Sequence, residues 1–316
     1  VIIIMKDNYG RDITYLRVSV TKRCNLNCIY CGKDFCAKKE HEMSADEIYK
    51  AVKAFANLGI NKVRFTGGEP LVRDDICNII EKVSAIHGIS AISLTTNGVL
   101  LKNYAHSLKR AGLHSVNISL DTLERETYKN ITGSDALDSV IEGIQAAQDA
   151  GLHPIKINAV LMKDINSDEA GKLISIAQDN EIDVRFIELM PFSENGNDQE
   201  KIITGSSLLQ RFPELTPLPE KNSTAVYYSR DGWKGRIGFI DPISHKFCSE
   251  CSRIRLLSDG KVKPCLGYDT AYDIIPCLND EQQLKEQIEK IIKSKPASHS
   301  FDAGLNPAYG LNRTGG

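Results

Sequence analysis

A chain of 316 residues with 39 basic and 41 acidic side chains carries a formal charge of −2, which leaves no electrostatic case for a nucleic-acid or membrane partner. The length suits about two domains. Nine cysteines are too few for a disulfide scaffold, and six of them form two tight groups, Cys24, Cys28, Cys31 and Cys248, Cys251, Cys265. Such grouping points to metal binding in a reducing compartment. The apolar start, Val1 to Ile4, is short, and no apolar run approaches the roughly 18 residues of a membrane span. The expectation is a cytoplasmic protein.

Six β-rich runs recur in the first two thirds: Tyr15 to Val20, Lys62 to Thr66, Ala91 to Thr95, Ser115 to Leu120, Ile155 to Val160 and Val184 to Leu189. Helical segments separate them. The first opens at Ser44 with Glu47 three residues on, a capping box, and sets Ile48, Val52, Phe55 and Leu58 on one stripe before Gly59. Ile76, Ile79, Ile80, Val83 and Ile86 mark the second; Leu101 to Arg110, Ser134 to Ala150 and Ser167 to Asn180 supply the next three. The alternation predicts an α/β fold with a parallel sheet and right-handed crossovers. Six units are fewer than close a full barrel, so the expected form is a partial (β/α)6 TIM-like barrel with an open side.

That barrel takes residues 1–192. Pro191 to Gly205, with Asn195-Gly196-Asn197-Asp198, reads as a linker into a C-terminal α+β region, 193–316, that covers the open side. A short helix at Ser206 to Phe212, a strand pair at Ala225 to Ser229 and Gly235 to Ile240, and a helix at Glu281 to Lys293 are expected there. The tail from Pro296 has no periodicity. Cys36, Cys77 and Cys277, outside both groups, read as buried small hydrophobes.

The chemistry starts at Cys24-Asn25-Leu26-Asn27-Cys28-Ile29-Tyr30-Cys31, after the first strand. Zinc takes four protein ligands and an iron-sulfur cluster normally four thiolates, so a lone triplet means either a distant fourth ligand or an iron left open for a small molecule. Polar clusters also follow the other strands: Thr66-Gly67-Gly68-Glu69-Pro70, Thr95-Thr96-Asn97-Gly98, Ser119-Leu120-Asp121 and Glu188-Leu189-Met190. Ligands in such folds sit at the carboxyl ends of strands, so these clusters are expected to face one cavity, although turns need the same residue types.

Cys248-Ser249-Glu250-Cys251 with Cys265 is the second triplet, and His245 offers it a fourth ligand for zinc. Against zinc stand Arg253 and Arg255, which alternate on an extended run and put two guanidinium groups on one side, suited to phosphate.

The C-x-x-x-C-x-x-C spacing with Tyr30 before its last cysteine, followed by Gly67-Gly68-Glu69-Pro70, resembles the radical S-adenosylmethionine superfamily. With Cys-x-x-Cys-x-Arg-x-Arg, Cys265 and the terminal Gly315-Gly316, the chain resembles its GTP 3',8-cyclase family, which acts early in molybdenum cofactor biosynthesis. The resemblance implies two [4Fe-4S] clusters, one on Cys24, Cys28 and Cys31 with an iron open to S-adenosylmethionine, the other on Cys248, Cys251 and Cys265 facing the guanine. It implies Tyr30, Gly68, Ser119 and Met190 in the S-adenosylmethionine pocket, and Arg17, Arg64, Thr95, Lys156, Arg253, Ile254 and Arg255 at GTP. It also implies that Gly315 and Gly316 enter the active site and help to place Arg17. The chain departs from the family in Leu311-Asn312-Arg313-Thr314 before the two glycines and in Gly32-Lys33 after Cys31.

The implied reaction begins with reductive cleavage of S-adenosylmethionine, continues with removal of the ribose 3' hydrogen of GTP, and ends with addition of that carbon to C8. Implied partners are GTP, a reductant such as flavodoxin or ferredoxin, and a downstream cyclic pyranopterin monophosphate synthase; a homodimer is compatible. A peptide-modifying maturase with an auxiliary cluster and a zinc-stabilised, non-catalytic binding protein are the competing readings.

Overall fold

Ser44 caps the first helix as its spacing predicts: its hydroxyl accepts from the Glu47 amide at 3.3 Å, and the Glu47 carboxylate accepts from the Ser44 amide at 2.8 Å. The computed structural model of the chain describes residues 4–31, 41–192, 198–219, 223–301 and 310–315. Strands β1 (Tyr15–Ser19), β2 (Lys62–Thr66), β3 (Ala91–Thr96), β4 (Ser115–Ser119), β5 (Ile155–Val160) and β6 (Ile182–Ile187) pair in parallel in that order. Between them run α1 (Ala45–Asn57), α2 (Ile76–Ser84), α3 (Leu101–Arg110), α4 (Arg125–Thr132) with α5 (Leu137–Asp149), and α6 (Ala170–Asp179). Helix α4 has no counterpart in the sequence reading. Gly133, at φ 71°, ends it in the left-handed conformation, so the expected helix from Ser134 is the second of two.

The sheet is open, as six units require, and the C-terminal residues lengthen it at both edges. β7 (Thr216–Leu218), β8 (Val226–Ser229) and β9 (Ile237–Ile240) continue from β6, while β10 (Arg253–Leu256), β11 (Lys261–Lys263) and β12 (Tyr272–Asp273) continue from β1. Among the described residues the order is β12-β11-β10-β1-β2-β3-β4-β5-β6-β9-β8-β7. Among the described residues, further α-helices are short α7 (Gly205–Leu209), α8 (Glu281–Lys293), which lies against α1, and α9 (Leu311–Thr314), a turn of helix inside the tail read as irregular. No helix among the described residues is long and apolar enough to cross a membrane. Cys77 and Cys277 are half-buried against the core, short of the full burial expected, and Cys36 lies outside the described residues.

Alternation along the strands divides apolar from charged side chains. Leu16 and Val18, Val63 and Phe65, and Ile254 and Leu256 join the core between sheet and helices. Burial of a Phe such as Phe55 or Phe65 there, both fully buried, stabilises by roughly 1.5–3 kcal/mol. The opposite face carries Arg17, Arg64 and Arg255 on one rung, because Arg17 stands opposite Arg255 of β10 and Arg64 of β2. A closed barrel fills this face with branched apolar residues. Here it is lined with cations, and a cavity remains.

Candidate active site

The first triplet follows β1 and is tied to the ends of the next three strands. Glu69, 1% exposed, accepts from the Leu71 amide (3.0 Å), the Thr96 hydroxyl (2.7 Å) and the Asn97 amide (2.7 Å), and its own amide donates to the Arg23 carbonyl (2.7 Å). Burial lifts its carboxyl to about 7 against those three bonds. Asn97 reaches over to the Asn25 side chain at 2.8 Å. Tyr30 donates its phenol to Asp121 at 2.7 Å, and Asp121 also accepts from the Val160 amide at 2.8 Å. Burial pushes Asp121 up to about 6, and burial together with Asp121 pushes the Cys28 thiol up. Gly68 is fixed by this closeness: a Cβ there would lie 1.9 Å from the Arg23 carbonyl oxygen.

The second triplet sits where β10 and β11 meet the barrel. Cys248, Cys251 and Cys265 line one cavity of about 200 Å³ together with Arg17, Arg64, Arg253, Arg255 and Met190. Burial works against the Cys251 thiolate, yet Arg253 and Lys295 outweigh it and bring the thiol down to about 6. Arg17 and Arg255 are depressed in turn, first by burial and then by the next arginine, Arg255 to about 10 and Arg17 well below its ordinary value. Guanidinium groups keep their protons at neutral pH, so this crowding shows as a positive potential that an anion relieves. The tail already meets it: Arg255 Nη1 donates to the carbonyls of Thr314 (2.9 Å) and Gly315 (3.0 Å), and the Leu311 amide donates to the Cys31 carbonyl (3.1 Å). Gly315, at φ 64°, passes so near Thr66 that a Cβ would lie 1.9 Å from its hydroxyl. Gly316 lies outside the described residues.

Residues 18–177 match the model of the Radical SAM superfamily, and residues 182–301 match Molybdenum Cofactor Synthesis C. The GTP 3',8-cyclase of Peptoclostridium acidaminophilum is 44% identical over 308 residues, 95% of each chain. That of Alkaliphilus oremlandii (strain OhILAs) is 44% identical over 321 residues, covering 99% of this chain and 100% of the relative. The chain belongs to the GTP 3',8-cyclase family. Streptococcus suis SuiB shares the fold at TM-score 0.62 and 15% identity, covering 92% of this chain and 68% of SuiB, and its S-adenosylmethionine complex does so at 0.62 and 16%.

Against the family's expected site, the cavity gathers Arg17, Arg64, Arg253, Arg255, Met190 and the second triplet. Thr95 and Lys156 stand on β3 and β5 away from its lining; Lys156 pairs with Asp183 at 3.6 Å and the Tyr227 hydroxyl at 3.2 Å. Ile254 is 0% exposed in the apolar core, so only its main chain is open to a ligand. Tyr30, Gly68 and Ser119 lie on the first-triplet side. Of the five polar clusters, the last is divided: Met190 lines the cavity, whereas Glu188 accepts from the amides of Ile243 (2.8 Å) and Ser244 (3.0 Å) and is not part of its lining. Sequence reasoning missed Arg185, whose guanidinium holds Asn158 at 2.6 and 2.9 Å on the cavity wall, and Lys295; each is a lone cation without a motif around it.

Each donor set fits an iron-sulfur cluster better than a single ion. Among the described residues no three His, Cys, Asp or Glu side chains converge closely enough for one metal ion, whereas a cluster spaces its thiolates around an iron and sulfide core. His245 is exposed and off the cavity wall, so the three-Cys, one-His zinc site loses its fourth ligand. The buried Tyr15 hydroxyl, on the cavity wall, also has no hydrogen-bond partner among the described residues, as a donor kept for a ligand would.

Proposed function

We propose that the chain joins C3' of the ribose of GTP to C8 of its guanine, giving (8S)-3',8-cyclo-7,8-dihydroguanosine 5'-triphosphate, an early step of molybdenum cofactor biosynthesis. The observation that carries this is the meeting of an open cysteine triplet with five arginines, Arg17, Arg64, Arg185, Arg253 and Arg255, on one cavity. Cys24, Cys28 and Cys31 would hold a [4Fe-4S] cluster that would supply the electron for cleavage of S-adenosylmethionine, and Cys248, Cys251 and Cys265 would hold a second that would offer an open iron to the guanine. Arg17, Arg64, Arg253 and Arg255 bind the triphosphate, with Lys156 and Thr95 at its margin. Tyr30, Gly68, Ser119 and Met190 bound the cosubstrate. The tail, held to Arg255 through the Thr314 and Gly315 carbonyls, closes the cavity and keeps water from a reactive carbon.

The division into a catalytic barrel, 1–192, and a covering region, 193–316, rests on the linker reading; the two family matches divide earlier, between residues 177 and 182. Flavodoxin or ferredoxin as reductant, a downstream cyclic pyranopterin monophosphate synthase as consumer of the cyclised triphosphate, a homodimer and a cytoplasmic setting follow from the family resemblance alone. The test is anaerobic turnover of the iron-loaded protein with S-adenosylmethionine, dithionite and GTP. Mass spectrometry should find the cyclised triphosphate together with 5'-deoxyadenosine; 5'-deoxyadenosine beside unchanged GTP would overturn the substrate assignment.

A further inference from the structure

Two buried cations outside both motifs grip the main chain of the second triplet's loops, one at Cys248 and the other beside Cys251 and Cys265. Asp7, 3% exposed, turns the chain on itself by accepting from the amides of Tyr9 (2.9 Å) and Arg11 (3.0 Å), and its other oxygen takes Arg11 Nε at 2.6 Å. Held there, Arg11 points Nη1 at the carbonyls of Cys248 (2.7 Å) and Ala297 (2.9 Å) and Nη2 at that of Pro296 (2.6 Å). Lys295, 3% exposed, donates to the carbonyls of Arg253 (2.8 Å), two residues past Cys251, and Pro264 (2.7 Å), just before Cys265. One segment, 295–297, thus ties Cys248 through Arg11 and, through Lys295, the residues Arg253 and Pro264 near the other two cysteines.

The first triplet is held differently. Its loop is tied by Glu69, Asn97 and the Tyr30–Asp121 pair, and the Arg23 side chain beside it is largely exposed and pairs with Glu42 at 3.4 Å. Reduction of a cluster adds negative charge, which buried cations stabilise and buried carboxylates oppose, most strongly where water is excluded.

We infer that Asp7, Arg11 and Lys295 are positioning residues for the second triplet, and that the charge of Lys295 makes the cluster held there the more readily reduced of the two, the charge of Arg11 being offset by Asp7. This rests on the two-cluster reading above. The second cluster is therefore filled with an electron first, and the first cluster keeps the stronger reducing power that cleavage of a sulfonium needs.

The experiment is a redox titration followed by electron paramagnetic resonance, without S-adenosylmethionine or GTP. It compares the parental protein with two single-cluster proteins, one with Cys24, Cys28 and Cys31 changed to Ala, the other with Cys248, Cys251 and Cys265 changed to Ala. The expected result is a higher midpoint for the second cluster, lowered by Lys295→Met and held by Lys295→Arg, with the first cluster's midpoint unmoved. Equal or reversed midpoints in the single-cluster proteins overturn the proposal, as does an unmoved midpoint in Lys295→Met that retains its iron. Loss of the second cluster from Lys295→Met but not from Lys295→Arg supports the role of the charge, and loss from both overturns it. A parental protein holding about four irons instead of about eight sinks the two-cluster reading itself.

Discussion

The two cysteine loops use the same residue type in different electrostatic surroundings. Around Cys24, Cys28 and Cys31 the buried titratable neighbours are Glu69, Asp121 and Tyr30, and the Cys28 thiol is pushed up. Around Cys248, Cys251 and Cys265 they are Arg253, Arg255, Lys295 and Arg17, and the Cys251 thiol is drawn down to about 6. S-adenosylmethionine brings a sulfonium and an ammonium, whereas GTP brings a triphosphate. The cationic surroundings of the second loop are opposite in charge to the triphosphate, whereas the first loop, where Glu69 keeps its proton to about 7, is nearly neutral, so electrostatics directs the anionic ligand to the second loop before any specific contact forms.

Removing one loop at a time tests this division most severely. Cys28→Ala should abolish cleavage of S-adenosylmethionine while leaving roughly half the iron and GTP binding, as read by iron analysis, 5'-deoxyadenosine formation and calorimetry. Cys265→Ala should do the converse, with cleavage outlasting GTP turnover. If either variant loses both functions together, the loops are one site and the contrast fails.

Next in size is the cationic wall. Each charge-assisted contact is worth roughly 1.5–3 kcal/mol, so Arg253→Ala or Arg255→Ala should weaken GTP binding by about 10- to 150-fold and guanosine binding far less. Arg255→Ala should also cost more turnover than Arg253→Ala, because Arg255 holds the tail carbonyls. Equal losses for GTP and guanosine would show that the wall reads the base and not the phosphates.

Gly315→Ala probes the tail alone. A left-handed alanine costs about 1–2 kcal/mol before its methyl meets Thr66, so cyclisation should fall severalfold while iron content and S-adenosylmethionine binding hold. An unchanged rate would remove the tail from the active site.

The smallest effect belongs to the acidic side. Below the usual Glu value of 4.5, Glu69 is protonated in folded and unfolded chains alike; above it the unfolded chain loses its proton while the folded chain keeps it to about 7. Stability should therefore fall as pH rises from 4.5 to about 7, and Asp121 adds the same sign between 3.8 and about 6. Urea unfolding across this range should show a slope that Glu69→Gln reduces; a slope unaltered in the variant would mean that Glu69 is ionised in the folded protein.

Much of this was legible in the residues. The six parallel strands follow from hydrophobic runs with helices between them, and the alternation Leu16-Arg17-Val18 beside Ile254-Arg255-Leu256 already separates a core face from a charged one. The pairing of β10 with β1 was not legible, because no local pattern states which distant strand will cover an edge. Arg11 and Lys295 were hidden for a related reason: their partners are carbonyl oxygens, which every residue has, so no side-chain spacing marks them. Helix α4 escaped because the polar run Arg125 to Asn130 hid its buried Tyr128 and Ile131.

The parallel contact of β1 with β10 also has a bearing on how the molecule is made. Tyr15 is translated long before Arg253, its neighbour across the sheet, so on the ribosome β1 stands with one row of amide and carbonyl groups bare. Such an edge invites pairing with any passing strand, and closing it late costs more chain entropy than closing a local hairpin. Arg17 waits on that bare strand without its neighbour Arg255 until β10 arrives. The anion site is thus assembled in the same event that seals the edge, and a nascent chain released before that event carries an exposed edge and half a site.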